Sequence, residues 1–186
     1  MNPIKLIQKY YDPKSKAYDI LVTHSRNVTQ KALEIAKDHP EMNIDLTFLK
    51  EAAMLHDIGI FLCDAESIGC TGQAEYICHG VLGAQLLRKE GLPKHALVCE
   101  RHTGVGLSRK DIVTRHIPIP QRDFKPVSIE EQLICFADKF FSKTKLNKEK
   151  KLKKILKSLS KHGESNIIQF IEWYKLFLGK DLSIPS

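Results

Sequence analysis

The stretch EAAMLHDIGIF, residues 51–61, ends an apolar helical run on an adjacent imidazole and carboxylate, His56 and Asp57. Both groups are costly to bury and both bind metal ions well. Leu49, Ala52, Ala53 and His56 fall at i, i+3, i+4 and i+7, so His56 points where the apolar residues point, with Asp57 one step round. The same conflict recurs on two other segments. Ile20, His24 and Val28 share a face that Ala32 and Ile35 continue, and Ile134, Ala137, Asp138 and Phe141 share another. One inward histidine or aspartate alone is ordinarily matched by a carbonyl, a cap or an arginine. Three on three helices, all good ligands, are satisfied together by a metal ion. His79 and His102 add two candidates at helix boundaries, and the intervals 56–79 and 79–102 are equal. His95 and His162 read as caps or exposed residues.

The elements that must position these groups read as helices, with period-two strand patterns scarce. Pro3 opens a helix ending near Tyr11, and a second runs from about Ser15 to Lys37, before Pro40. Asp45 caps a third that ends at Gly59. Residues 61–78 read as an irregular loop. HGVLGAQLLRKE is the fourth helix, with Gly91 as its C′ residue. Pro93 opens the fifth, which runs to His102 and breaks at TGVG. Three prolines make residues 116–126 extended or turn. Ser128 and Glu131 form a capping box for a helix through Phe141. ESNIIQFIEWYKLFLG is the last helix, with Ile168, Ile171, Trp173 and Phe177 as packing residues.

The chain is 186 residues with 42% hydrophobic content and a formal charge of +7. These values suit one all-α domain over residues 1–186 with a real core. No apolar run reaches the roughly 18–20 residues of a membrane span, and the N-terminus is too short in its apolar part and too charged for a secretory signal. Five cysteines form no CxxC pair, so reduced thiols and a cytoplasmic location are expected. Nine lysines lie between Lys143 and Lys161. Leu152, Ile155, Leu156 and Leu159 recur among them at helical spacing, so these lysines are expected as the solvated side of an amphipathic helix, with neither nucleic acid nor membrane as partner.

The series His24, His56–Asp57, Asp138 resembles the H…HD…D signature of the HD-domain metal-dependent phosphohydrolases. HSRNVTQKALEIAK, MLHDIG and LICFADKF are similar to the helices that carry those ligands, over about residues 20–143. The lysine-rich and C-terminal helices, 144–186, lie outside that core. HGVLGAQLLRKEGLP and ERHTGVGLSRKDI add His79 and His102, which resembles the dinuclear H…HD…H…H…D subgroup of small prokaryotic HD proteins. The symmetrical diadenosine-tetraphosphate hydrolases and cyclic-di-GMP phosphodiesterases share that order. The GYP motif of the latter is absent.

The resemblance implies two divalent metal ions, iron or manganese first, with zinc, cobalt or nickel as substitutes. His24, His56, Asp57 and Asp138 would hold one ion, and Asp57, His79 and His102 the other, with Asp57 bridging and positioning a hydroxide. It implies hydrolysis of a phosphoester or phosphoanhydride in a small, nucleotide-like substrate. Lys139, Arg109 and Lys110, the last two read as a loop after His102, are candidate substrate contacts. Arg26 and Arg101 are weaker ones, and Arg115 and Arg122 flank a proline-rich segment that could form a rim. Two other readings use the same ligands. One is an HD-type mixed-valent di-iron oxygenase, with Tyr18 near the substrate; the other is a metal-stabilised helical module without catalysis.

Overall fold

The computed structural model describes residues 1–146 and 148–182. Its helices are α1 (Pro3–Gln8), α2 (Lys16–Asp38), α3 (Leu46–Leu55), α4 (His79–Lys89), α5 (Pro93–Arg101), α6 (Arg109–Thr114), α7 (Ile129–Asp138), α8 (Leu152–Ser160) and α9 (Glu164–Leu178). The expected all-α class holds. The described strands are the two-residue pair β1 (Asp64–Ala65) and β2 (Cys70–Thr71), an antiparallel hairpin inside the segment read as irregular.

Local chemistry explains most boundaries. Ser15, Asp45 and Ser128 each accept a backbone N–H in the first turn of the helix they open. Glu131 does not complete the expected capping box at Ser128. Its carboxylate instead takes the Val127 N–H at 2.9 Å and the Arg101 guanidinium at 2.9 Å. A full capping box lies at Ser108 and Asp111, and it opens α6 where the sequence was read as loop. Helix α7 stops at Asp138, not Phe141.

Three apolar clusters form the interior of the described residues, a small one at Leu107, Ile112 and Phe124 and two larger ones. One packs α2 residues Val28, Ala32 and Ile35 with Phe136, Phe170, Trp173 and Phe177. The other packs Ile20, Leu21 and Val22 of the same helix with Leu55, Ile58, Ile60 and Leu87. Each such side chain contributes about 1.5–3 kcal/mol on burial. His24 and Ser25 sit on α2 between the two sets. The polar centre is therefore enclosed by both. Ile168, expected to pack, is 43% exposed, because α9 turns Phe170, Trp173 and Phe177 inward.

Helix α3 ends at Leu55, and a 3-10 turn over Ile58–Leu62 follows Asp57. Gly59 therefore does not end the helix, as the sequence suggested. It lets two backbones touch: a Cβ there would lie 2.3 Å from the His79 carbonyl oxygen and 2.5 Å from the Gly83 nitrogen. Gly83 answers it, since a Cβ on Gly83 would lie 2.9 Å from the Gly59 nitrogen. This contact presses α4 against the turn that carries Asp57, which brings His79 to it. Gly59→Ala is expected to cost roughly 3 kcal/mol through overpacking, read as a thermal midpoint about 6–12 °C lower. An unchanged midpoint would contradict the close approach.

Candidate metal centre

Four helices and one turn deliver the six sequence-selected residues to one place. His24 comes from the middle of α2, and His56 and Asp57 follow α3. His79 opens α4, His102 caps α5 and Asp138 ends α7. His24, His56, Asp57 and Asp138 have ligand atoms within 4.8 Å of one another, and so do Asp57, His79 and His102.

The Asp57 carboxylate is fully buried and divides its two oxygens. Oδ2 lies 3.2 Å from His24 Nε2 and 3.0 Å from His56 Nε2. Asp138 Oδ1 closes that group, 3.0 Å from His24 Nε2. The other oxygen, Oδ1, lies 3.3 Å from both His79 Nε2 and His102 Nε2.

Three of the histidines are aimed by the same device. Nδ1 of His56 meets the Ala53 carbonyl at 2.7 Å, Nδ1 of His79 meets the Tyr76 carbonyl at 2.6 Å, and Nδ1 of His102 meets the Cys99 carbonyl at 2.7 Å. A carbonyl only accepts, so each Nδ1 carries the proton and donates it. In the neutral ring Nε2 is then a bare lone pair. At the C-terminal ends of α3 and α5 the accepting carbonyls are ones the helix leaves unpaired, so the same bond satisfies the helix end. His24, within α2, finds no such carbonyl, and its Nδ1 is buried without a hydrogen-bond partner.

This tautomer rule has a chemical consequence. His79 Nε2 and His102 Nε2 face each other at 3.1 Å, with Asp57 Oδ1 beside both. Three acceptors converge there. Burial holds His102 down to about 4, so it is neutral near pH 7 and brings no proton to bridge them. A divalent cation is what such a donor set binds. The helix dipoles add to it, since the negative ends of α3, α5 and α7 all terminate on residues of the cluster.

The first group differs. Burial alone would lower His56, but Asp57 and Asp138 outweigh it and raise it to about 9. Burial would raise Asp57, yet Lys143 and His56 hold it well below the usual carboxylate range. Lys143 Nζ sits 2.6 Å from Asp57 Oδ2, with its own value raised by Asp57 against the opposing effect of burial. Neither Lys143 nor Tyr76, whose ring stacks on His79 at 4.7 Å beneath the Lys143 amine, is marked by any sequence pattern. No spacing rule reaches Lys143, because it lies beyond the end of α7 and returns through a turn.

A cleft of about 510 Å³ opens onto this group, lined by His24, Asp138, Tyr76, Lys143, Thr144 and Lys150 among others. A larger hollow of about 1070 Å³, bounded by Pro3, Arg26, Leu33 and Met54, contains none of the six residues. Chemistry, not size, identifies the site.

The candidate substrate contacts fare differently. Lys139 is 2.8 Å from Asp138 Oδ2 and serves that carboxylate, without lining the cleft. Arg109 and Lys110 open α6 and are exposed; the Arg109 N–H donates to Asp123, and Lys110 lines a separate pocket with Lys125 and Ser165. Arg101 pairs with Glu131, and Arg122 pairs with the buried Glu100 at 3.0 Å. Arg101 does not line the cleft, and neither Arg115 nor Arg122, expected at its rim, lines it. The Tyr18 hydroxyl accepts from Gln8 and does not line it either. His95 is buried, 3.4 Å from Glu51 and edge-on to Phe48, contrary to the exposed position expected. All five cysteines are buried free thiols. No helix of the described residues is long and apolar enough to cross a membrane.

The HD-domain family model matches residues 21–143, which hold all six residues. The chain belongs to the HD-domain family. Among curated proteins, this HD domain is similar to a tRNA (cytidine(56)-2'-O)-methyltransferase of Thermoplasma volcanium, 30% identical over 166 residues, 89% of this chain and 44% of that protein. A protein of the same description from Picrophilus torridus is 27% identical over 137 residues, 73% of this chain and 36% of that one. An uncharacterized protein of Methanocaldococcus jannaschii is 29% identical over 156 residues, 82% of this chain and 85% of that protein. The chain thus spans less than half the length of the two methyltransferases. No solved structure matches it.

A metal ion held by His56 would compete with the proton for Nε2. Apparent metal affinity is therefore expected to rise with pH, about tenfold per unit for one displaced proton, and to level off above about 9. The metal-free fold runs the other way: a raised histidine stabilises it below the unfolded value and that contribution is lost as pH rises through about 9. Titration calorimetry in buffers of different ionisation heat reads the released proton. Affinity independent of pH between 7 and 9 would contradict the assignment.

Proposed function

We propose that this HD domain is a metal-dependent phosphohydrolase acting at a two-ion centre. The observation that carries the reading is the division of Asp57, with one oxygen turned to His24, His56 and Asp138 and the other to His79 and His102. One carboxylate shared between two donor sets is suited to two ions side by side. Iron or manganese fits the mixed nitrogen and oxygen set, with zinc, cobalt or nickel able to substitute.

Bound divalent ions supply Lewis acidity and a nucleophile from water at neutral pH. The chain's own residues supply the rest. Asp57 and Asp138, held as carboxylates, keep the centre anionic enough to retain cations. The Nδ1–H bonds fix three imidazoles so that their lone pairs stay aimed without reorganisation. The second group, His79 and His102, lies against Tyr76 and is closed from solvent, whereas the first opens onto the cleft through His24 and Asp138. A phosphate entering there meets Lys143. Lys143, which lines the cleft beside Asp57, would there neutralise charge developing on the transferred phosphoryl group. Lys139 keeps Asp138 ionised throughout, since Lys139, His24 and His56 outweigh the effect of burial on that carboxylate.

The likeness to tRNA methyltransferases covers less than half of their length. Methyl transfer makes no use of a buried His/Asp donor cluster, so hydrolysis is the activity proposed for this chain. The cationic cleft also favours a phosphorylated substrate over the neutral ones that an oxygenase could accept, and its opening onto the ligands distinguishes it from a closed structural site.

Protein purified without chelator and assayed on a phosphoester panel, with and without oxygen, tests the reading. About two metal ions per chain and oxygen-independent hydrolysis are expected. Asp57→Asn should lose both ions and lower kcat at least about 10³-fold. Two irons with oxygen-dependent turnover and no hydrolysis would replace the hydrolase with the oxygenase.

A further inference from the structure

The cleft does not end at the metal centre. Its outer wall is Ser142, Lys143, Thr144 and Lys150, which follow α7 in the chain. The Lys150 N–H donates to the Phe140 carbonyl at 2.7 Å, which pins the segment at the end of α7. Lys150 is partly buried, and no carboxylate lies within ion-pair distance of its ammonium among the described residues. Burial and the neighbouring Lys139, Lys143 and Lys154 depress it, against the pull of Asp138. A lysine kept in a cleft beside other lysines, without an acid, is an anion site awaiting its anion.

Of the lysines that follow, Lys154 on α8 lies close enough to act on Lys150, while Lys153 and Lys157 line a separate hollow. Glu149 is the one acid between Lys143 and Lys161, and it is spent on Lys31 at 2.6 Å. Lys151, Lys153, Lys154 and Lys157 are exposed, and none forms an ion pair among the described residues. An amphipathic helix needs a polar face, but it does not need one sign of charge; mixed signs would avoid the self-repulsion retained here. From Lys151 to Lys157 these lysines extend roughly 9 Å along α8. That is more than one phosphate can use. Lysines are also the choice for holding phosphates as point charges without reading bases.

We propose that the scissile phosphate reaches the metal centre as part of a nucleic-acid strand, its neighbouring phosphate held by Lys150 at the cleft mouth and the next by Lys154 on α8. This rests on the hydrolase reading and extends it from a small nucleotide to a strand, reversing the sequence-based expectation that the lysine tract is solvated surface alone.

The test uses the full metal-loaded chain and a fluorescein-labelled single-stranded phosphorothioate RNA of about eight nucleotides, within the usual site size of such grooves. Anisotropy is followed across a salt series. Binding should tighten as salt falls, with a logarithmic slope of about −0.7 for each phosphate neutralised. Lys150→Ala and Lys154→Ala should each weaken binding and reduce the slope by about 0.7, with metal content and circular dichroism unchanged. Two results would overturn the proposal: RNA binding no tighter than inorganic phosphate, or affinity and slope unaffected by both substitutions. If either occurs while the wild-type protein still cleaves a small phosphoester, the strand is excluded and the hydrolase stands. Absence of both metal and cleavage would instead remove the reading beneath it.

Discussion

Everything in this fold is arranged around a carboxylate that has no water. Asp57 is fully buried, and a buried carboxylate without compensation costs several kcal/mol. Four imidazoles, a lysine and a second carboxylate surround it, each delivered by a different part of the chain. The compensation is chemical rather than geometric. With Nδ1 protons committed to carbonyls, the rings offer lone pairs to an anion, and lone pairs do not stabilise anions. Only added positive charge makes the arrangement favourable, and Lys143 and a proton on His56 supply it.

Positioning follows from ordinary helix chemistry. Helix ends leave carbonyls unpaired, and histidines placed just beyond α3 and α5 use them. The same ends carry negative dipole charge toward the centre. Glycine contact between the turn after Asp57 and α4 closes the remaining gap, because no side chain fits between those backbones. Cys135 assists on the other side, its thiol donating to the His102 and Gly104 carbonyls. Rigid apolar packing on both sides of His24 then holds the centre against its own electrostatic cost.

The legible part of this site was the part that obeys a period. His24, His56 and Asp138 stand out because polar groups on an apolar stripe conflict with helical spacing; the structure buries both histidines and leaves Asp138 partly exposed at the cleft. His79 and His102 stand at helix ends, where no period applies, and order along the chain rather than spacing pointed to them. Lys143 was not legible, since its approach depends on the turn beyond α7. Arg109 and Lys110 were chosen for nearness to His102 in sequence, but the Ser108–Asp111 capping box starts a helix that carries them away. Gly59 was noticed for the wrong reason: its backbone is unremarkable, and the constraint is a tertiary contact that sequence alone does not contain.

The most direct test of the shared carboxylate is anomalous diffraction from crystals of the metal-loaded protein, recorded at the absorption edge of the metal found in it. The account requires two peaks, one beside each Asp57 oxygen and about 3.5–4 Å apart, as in two-ion sites that share a bridging group. A single peak coordinated by His24, His56 and Asp138 alone, with His79 and His102 left free, would contradict it.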